Sequence, residues 1–595
     1  MPPAIDAHRM LSNGHSMALL RSDGHLDWWC APACDSPPLL WSLLDPTGGS
    51  AQWIGARMAR AGGPPAGPVM RTLLATALGR VEILDALVRA GGAEVLLRLA
   101  RSPGSDVALH HRLSVGGFDA ERGEWRESTA RVGEVDVVVV GGAHRVDGRH
   151  LWTAIDAGAT WAGLAVVVGA TAALPGIDEM VTLALTAEEE AEAALFAARL
   201  PRRHPERARD ALAVLRACTY EPTGAVIASP TTSLPEAPGA DRQFDYRFSW
   251  LRDAALAVSV AALLGERGMA ERYLAFVRRV AGEAIPDAPV TTVRGDAVPE
   301  EREVDGVAGW AGSLPVRVGN SAAGQVQYDA LGMVLEAVSV YLQTGGSLDD
   351  ATWSMTRRIA DHLAKALVDA TSGIWELRQP QRLVSADLGR WLGLDRAVWI
   401  ARGWRPLARR GDWKRARARA RDRVLSALGA DGRLPQSYDG PSRADASSLM
   451  APLFGMVSRR DPRAHAIVDS VLRDLDAYPF VYRSEPDATD GFAGREGAFV
   501  PMAWWAVSGL AAVGRVDEAE ERLEALCARL PRLLAEEVDP VSGASLGNVP
   551  LLWSHIEAAR ALYILDAAER RARWGPAGLW AWRLGRYAAL RWGRQ

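Results

Sequence analysis

Residues 244–254, FDYRFSWLRDA, gather four aromatics, two arginines and two aspartates into eleven positions. Arg252 and Asp253 offer a planar fork of donors beside a carboxylate, and Trp250 offers a flat apolar face. That set suits a polyhydroxylated ring, held by its hydroxyls and stacked on its apolar side. A capped helix with an ion pair is the plain structural alternative. Two glutamates downstream have complementary surroundings. Glu376 directly follows Trp375 in GIWELR, where partial desolvation favours the neutral form and suits a general acid. Glu536 opens the acidic stretch EEVDP, where a carboxylate is expected to stay ionised and activate water. Cleavage of a glycosidic bond uses such a pair, and a separation of about 6.5–9.5 Å leaves room for the water and inverts the anomeric carbon.

Residues this far apart in sequence must be assembled by larger elements. From about residue 15 to 185 the chain shows short apolar, β-branched runs broken by turns such as Asp23-Gly24 and Asp147-Gly148, the pattern of a many-stranded sandwich. Residues 187–203 switch to helical period with an acidic start and a basic end. Twelve candidate helices follow, near 206–219, 251–264, 268–283, 324–343, 350–370, 386–405, 411–429, 443–456, 462–475, 496–513, 515–532 and 552–568. Every second one is apolar and Ala/Gly-rich, as an inner helix should be, and its partner carries a charged face. Six inner and six outer helices close into an (α/α)6 barrel. The expected division is a β region over 1–186, a helical linker over 187–204, the barrel over 205–570 and a basic tail over 571–595.

Candidate functional residues collect where the inner helices begin: Arg252 and Asp253, then Gln325, Gln327 and Asp329, then Ser385 and Asp387, then Asp445, then Arg495 and Glu496, then Ser554 and His555. Helix capping accounts for the aspartates and serines. It does not account for the Trp, Arg, Gln and His among them.

Bulk properties limit the alternatives. The chain of 595 residues exceeds one ordinary core, so at least two domains are expected. With 48% hydrophobic and 24% charged residues it reads as a soluble globular protein. A formal net charge of −4 gives no footprint for a nucleic-acid partner. The 22 tryptophans against 9 phenylalanines suit a cleft that stacks sugar faces. The cysteines, Cys30, Cys34, Cys218 and Cys527, provide no second ligand pair for zinc and fit a reduced, cytoplasmic location. The N-terminus lacks the basic-then-apolar pattern of a secretory signal, and no apolar run is long enough for a membrane span. No cluster of oxygen ligands stands at a recognisable spacing, so no metal and no cofactor are expected. Oligomeric state is left open, a homo-oligomer included.

Further motifs extend over almost the whole chain: GHLDWWCAPACDSP at 24–37, TSLPE at 232–236, YRFSWLRDA at 246–254, PVRVGNSAAGQVQYD at 315–329, GIWELR at 373–378, LDRA at 394–397, PQSY at 435–438, EGAF at 496–499 and EEVDPVSG at 536–543. On these the chain resembles glycoside hydrolase family 15, the glucoamylase, glucodextranase and trehalase group, from about residue 5 to 570. The resemblance implies an N-terminal β-supersandwich, a C-terminal (α/α)6 barrel and inverting hydrolysis of α-glucosidic bonds at a non-reducing end. By position, Glu376 matches the family's general acid and Glu536 its general base, with Glu537 one residue of loop register away. Arg252 and Asp253, with Trp250 beside them, match the grip on the terminal glucose, and Trp375 with Arg495 or Glu496 would complete the pocket.

The chain departs from the family pattern at three places. Phe244 stands where a tryptophan is usual, Ala33-Cys34 where Arg-Phe is usual, and Ala386-Asp387 where a cation is expected. Three readings follow: an exo-acting glucoamylase-type hydrolase, a trehalase using the same carboxylates, or a family scaffold that no longer cleaves sugars. The tail after Glu569 carries seven arginines, four tryptophans and no acid. It reads as a membrane-surface or partner-binding segment, or, given the Gly575-Pro576 break, as an arm packed on the barrel exterior or disordered.

Overall fold

Strand 135–140 (VDVVVV) shows how the first part of the chain folds: Val137 and Val139 are buried while their neighbours face outward, the two-residue period of a half-covered sheet. Sixteen such strands between His8 and Val168 form two sheets in the computed structural model, which describes residues 4–118, 123–169, 176–281, 288–366, 369–485 and 492–592. The first sheet runs in the order Ala143–Asp147, His150–Ala157, Val107–Ser114, Ser50–Ile54, Leu26–Cys30, Met17–Arg21, His8–Ser12, Ala66–Gly67, with Pro38–Leu40 also on Leu26–Cys30. The second runs Thr129–Val132, Val135–Val140, Ala162–Val168, Ala93–Arg101, Gly79–Ala90, Val69–Thr76, Arg57–Gly62.

The sheets face each other across one apolar layer that includes Leu20 and Trp29 from the first and Ile83 and Leu96 from the second. Helix α1 (Ile177–Ala197) covers the outer face of the second sheet, burying Met180 and Ala184 against Leu84, Val95 and Leu97. It begins ten residues before the linker expected from charge pattern, because its first turns are held by that sheet. The outer face of the first sheet packs on the helical region. Trp28 Nε1 donates to Pro230 O at 2.8 Å, and Ser12 Oγ donates to Ala217 O at 2.7 Å. Met10, Leu19 and Trp28 share a core with Leu212 and Leu215.

The helical region comprises α2 (Pro205–Ala217), α3 (Leu251–Leu264), α4 (Arg267–Ala281), α5 (Tyr328–Gln343), α6 (Asp350–Lys365), α7 (Val384–Trp404), α8 (Gly411–Ser426), α9 (Met450–Leu453), α10 (Pro462–Leu475), α11 (Val500–Val513), α12 (Val516–Arg529) and α13 (Leu552–Trp592). Every residue of α3 except Leu263 is buried, whereas α8 buries only Trp413, Ala416, Ala420 and Val424, one stripe at helical spacing. Helix α3 contacts α5, α5 contacts α7, and α7 contacts the 3₁₀ turn Ala446–Leu449 that leads into α9. That turn and α9 contact α11, α11 contacts α13, and α13 returns to α3. Glycine makes one of these contacts close: a Cβ at Gly332 of α5 would lie 2.3 Å from Gly389 O of α7.

Two segments differ from the sequence expectation. The eighth helix is a 3₁₀ turn and a single α turn, because Pro452 lacks an N–H and Gly455 takes φ +85°. The tail is helical: α13 bends at Gly575 (φ 67°) before Pro576 and continues to Trp592. Residues 593–595 lie outside the described residues.

Candidate active site

Trp250 stands where a two-residue strand becomes a helix. Ser249–Trp250 pairs with Val290–Thr291, and Leu251 N–H donates to Pro289 O at 2.9 Å. The first turn of α3 therefore projects Trp250, Arg252 and Asp253 into one recess at the entrances of the inner helices. A second device places Glu536. Strand Ala498–Phe499, at the entrance of α11, pairs with Glu537–Val538, which pairs with Ser545–Leu546. Glu536 O accepts from Val500 N–H at 3.0 Å, and its N–H donates to Asn548 O at 3.1 Å. Gly547 (φ +71°) must be glycine, since a Cβ there would lie 2.6 Å from Glu536 Oε2.

Glu376 sits in a tight turn with φ +59°, a left-handed conformation that costs a residue with a side chain about 1 kcal/mol. The turn is fixed by Glu376 N–H to Gly373 O at 3.2 Å and by Gln325 Nε2 to Glu376 O at 3.1 Å. Glu376 Oε1 accepts from Trp250 Nε1 at 2.7 Å, Arg252 Nη2 at 3.2 Å and Gln327 Nε2 at 3.4 Å. With three donors on Oε1, the atom able to carry a proton is Oε2. Trp375 Nε1 donates to Asp445 Oδ1 at 2.9 Å, and its ring stacks on Trp553 at 6.3 Å.

Arg252 also donates to Ile374 O at 3.0 Å and Gln327 Oε1 at 3.2 Å, and it lies 5.0 Å from the Trp553 ring centroid. Burial alone would lower its pKa, but the charges of Asp253, Glu376 and Asp329 outweigh that and raise it. Burial, with the Glu376 charge, pushes Asp253 up against the opposing pull of Arg252.

The Glu536 carboxyl is 2% exposed. Tyr246 OH donates to its Oε1 at 2.8 Å, and Asn548 N–H reaches its Oε2 at 3.4 Å. Tyr246 meets the Trp250 ring edge-on at 5.6 Å. One line of contacts, Glu536–Tyr246–Trp250–Glu376, thus spans the recess. Burial, then the Glu236 charge, pushes Glu536 well above the usual carboxylate range. This corrects the expectation of an acidic loop that leaves Glu536 freely ionised, because residues 533–538 are buried and not solvated. Glu537 is raised for the same reasons but turns away from the recess, accepting from Gly497 N–H at 2.7 Å. Arg483 Nη2 lies 2.5 Å from Glu496 Oε2 and 3.4 Å from Glu236 Oε2.

Of the residues expected at the site, Trp250, Arg252, Asp253, Trp375, Glu376, Glu496 and Glu536 line the recess. Gln327 supports Arg252 and Glu376 from behind. Three assignments to substrate are corrected. Asp329 is wholly buried 3.8 Å from Arg252, behind the wall. Arg495 is exposed and lies over the Tyr482 ring at 4.7 Å. His555 is wholly buried and accepts from Leu534 N–H at 2.9 Å, its pKa lowered to about 3 by burial. Being near a helix entrance does not decide which way a side chain faces.

Sequence reasoning missed Tyr246, Glu236, Arg483 and Trp553, which also line the recess. Tyr246 and Glu236 lie inside the motifs quoted above, and Trp553 precedes Ser554. Arg483 carried no signal. Of the three departures, only Phe244 is on the wall, stacked 6.3 Å from Tyr246 and edge-on to Phe492 at 5.0 Å. Ala33 and Cys34 are buried in the shared core. Asp387 is held by Arg390, Arg423 and Tyr438 at 3.0, 3.1 and 2.9 Å, away from the recess.

Glu236, Glu496 and Glu537 bring one oxygen each within 4.8 Å of the others, close enough to share a cation. They are up to about 300 residues apart in the chain, so no sequence spacing reveals them. Arg483 already acts as counter-charge there.

Carboxyls, indoles and a guanidinium–carboxylate pair thus line one recess. The sequence profile of Glycosyl hydrolases family 15 matches residues 209–526, and the chain belongs to that family. It is 35% identical over 383 residues to a trehalase of Mycolicibacterium smegmatis, covering 62% of this chain and 57% of that one. It is 30% identical over 367 residues to a trehalase of Thermoplasma volcanium, covering 60% and 58%. The chain thus spans less than two thirds of the length of these relatives. The crystal structure of a bacterial glucoamylase complexed with acarbose superposes with a TM-score of 0.68 at 13% identity, over 98% of this chain and 97% of that one, a likeness of fold. Among the described residues, no helix is long and apolar enough to cross a membrane.

Proposed function

We propose that the chain is an inverting hydrolase of α-glucosidic bonds with trehalose as its substrate, built as a β-supersandwich followed by an (α/α)6 barrel. The observation that carries this reading is the pair Glu376 and Glu536 in one recess, joined through Trp250 and Tyr246. The choice of trehalose rests on the trehalases among its relatives.

In this reading Arg252 and Asp253 grip the hydroxyls of one glucose, and Trp250, Trp375 and Trp553 form its apolar wall. Glu376 delivers the proton on Oε2 to the glycosidic oxygen as the C1–O bond breaks. Glu536 removes a proton from a water whose oxygen bonds to C1 from the opposite face, so the first product is β-glucose. In its ionised form the raised Glu536 is a stronger base than an exposed carboxylate, and the Tyr246 hydroxyl orients it through Oε1. The carboxyls then exchange protons with solvent.

The test is incubation with trehalose and, separately, with maltotriose, following anomers by NMR at early times. Release of β-glucose from trehalose supports the reading. Release from maltotriose alone moves the chain to the glucoamylase type, and no glucose from either leaves a scaffold that no longer hydrolyses sugars.

A further inference from the structure

The arm beyond the Gly575 bend folds back on the helical region. Trp582 packs 5.5 Å from Tyr563, and Arg586 stacks on both rings. Arg586 Nη2 donates to Leu263 O at 2.6 Å and Arg591 Nη1 to Gly345 O at 2.9 Å. Arg199 donates to Ala589 O and Arg267 to Leu590 O. One side of the arm is thus tied to the carboxyl ends of α3 and α5. Arg252 opens α3 and Leu263 nearly closes it, a rise of about 16 Å, so the arm lies at the opposite end from the recess.

The other side of the arm is unlike an ordinary protein surface. Trp580 is 66% exposed and Leu584, one turn on, is 50% exposed. Ala577 and Ala581 continue the same apolar stripe, and Trp574, 49% exposed, stands just before the bend. Arg573 and Arg583 flank it, and Arg459, Arg460 and Arg583 lie near enough to Arg571 to repel its charge. Among the described residues none of these five arginines pairs with a carboxylate. The chain as a whole is acidic, at −4, so this is a local positive face on a negative body.

We propose that this arm is a docking surface for an anionic lipid bilayer. Indoles and leucine set between arginines match the interfacial region of a membrane, where rings sit at headgroup depth and guanidiniums meet phosphates. Two copies of the chain meeting face to face would press like charges together, which disfavours a second copy as occupant. A nucleic acid would satisfy the arginines and leave the Trp580–Leu584 stripe in water. Docked in this way, the recess at the far end stays open to soluble sugar.

The test is flotation of the full chain with vesicles of phosphatidylcholine, alone or with about one third phosphatidylglycerol. Flotation is expected with the anionic vesicles only, and it should fade as salt shortens the Debye length to about 3 Å near 1 M. The double variant Arg573→Gln/Arg583→Gln should weaken binding roughly 30-fold. Trp580→Ser/Leu584→Ser should weaken it by at least about tenfold. Unchanged far-ultraviolet dichroism and melting temperature show that the variants fold. Three results would each overturn the proposal: no flotation at low salt, flotation that both variants leave intact, or a dimer by light scattering that Trp580→Ser/Leu584→Ser dissociates. Tighter capture by an oligonucleotide than by anionic vesicles, unaffected by Trp580→Ser/Leu584→Ser, would assign the face to phosphate recognition and overturn it too.

Discussion

Two groups of buried ionisable side chains, one between the sheets and one at the recess, are composed differently. In the β region Arg98 and Asp85 are both wholly buried and paired at 2.8 Å. Arg98 also donates to Ala51 O at 2.8 Å and Gly24 O at 2.5 Å, and it meets His111 Nε2 at 3.2 Å. Burial holds His111 well below its usual range, hence neutral, and raises Asp85 against the pull of Arg98, so the group sets a single acid against a single cation. Beside the recess Glu236, Glu496, Glu536 and Glu537 lie near Arg483 and Arg242. Four acids against two cations cannot all ionise in a buried place, and Glu536 and Glu537 are the ones pushed up. The balanced group locks a fold. The unbalanced one, with more acids than cations, favours the protonated form at Glu536 and Glu537.

If that contrast is right, substitutions in the two groups should separate activity from stability. Glu376→Gln and Glu536→Gln should each lower turnover roughly 10²–10⁴-fold while the melting temperature holds, read by glucose release and calorimetry. Near-normal turnover in either variant removes that residue from the chemistry. Asp85→Asn leaves the Arg98 charge buried without its partner and should cost about 3–5 kcal/mol of stability, with turnover per folded molecule unchanged. A loss of turnover in the folded fraction would erase the contrast.

Asp329 gives a pH test. Burial raises it from 3.8 to about 6 in the folded chain, chiefly against the pull of Arg252. Between those values the folded chain keeps a proton that the unfolded chain releases, so stability falls as pH rises through that window. The stability of the unsubstituted chain relative to Asp329→Asn should drop by up to about 3 kcal/mol between pH 4 and 6. A flat difference would mean that Asp329 does not titrate there. Tyr246→Phe should have the smallest effect. Losing one hydrogen bond to a charged group, worth about 1.5–3 kcal/mol, should lower kcat roughly tenfold or more and leave KM close to its original value. An equal loss through KM would place Tyr246 on the sugar and not on Glu536.

Much of this was legible in the chain. The strand runs 79–84, 93–100, 135–140 and 164–168 fall within strands, because alternating or continuous β-branched runs have few other places to go. Eleven of the twelve helices were visible from period and caps. The eighth was overestimated because a local pattern does not weigh Pro452 against its neighbours. At the site, Trp250, Arg252, Asp253, Glu376 and Glu536 stood out by residue type. Asp329 and His555 were counted among the functional residues because they stand at helix entrances, and at both the side chain turns into the protein.

The sequence by itself determined which residues are equipped for the chemistry, because the Trp-Glu neighbour pair, the Arg-Asp fork and the helix periods are local properties. Tertiary structure alone decided the charge state and direction of those residues. Glu536 is raised by burial and by Glu236, which lies 300 positions earlier. Glu376 Oε1 is occupied by donors from α3 and from the entrance of α5. Arg483 enters from the segment that follows α10. Desolvation and Coulomb forces depend on distance in space, and no spacing along the chain records it.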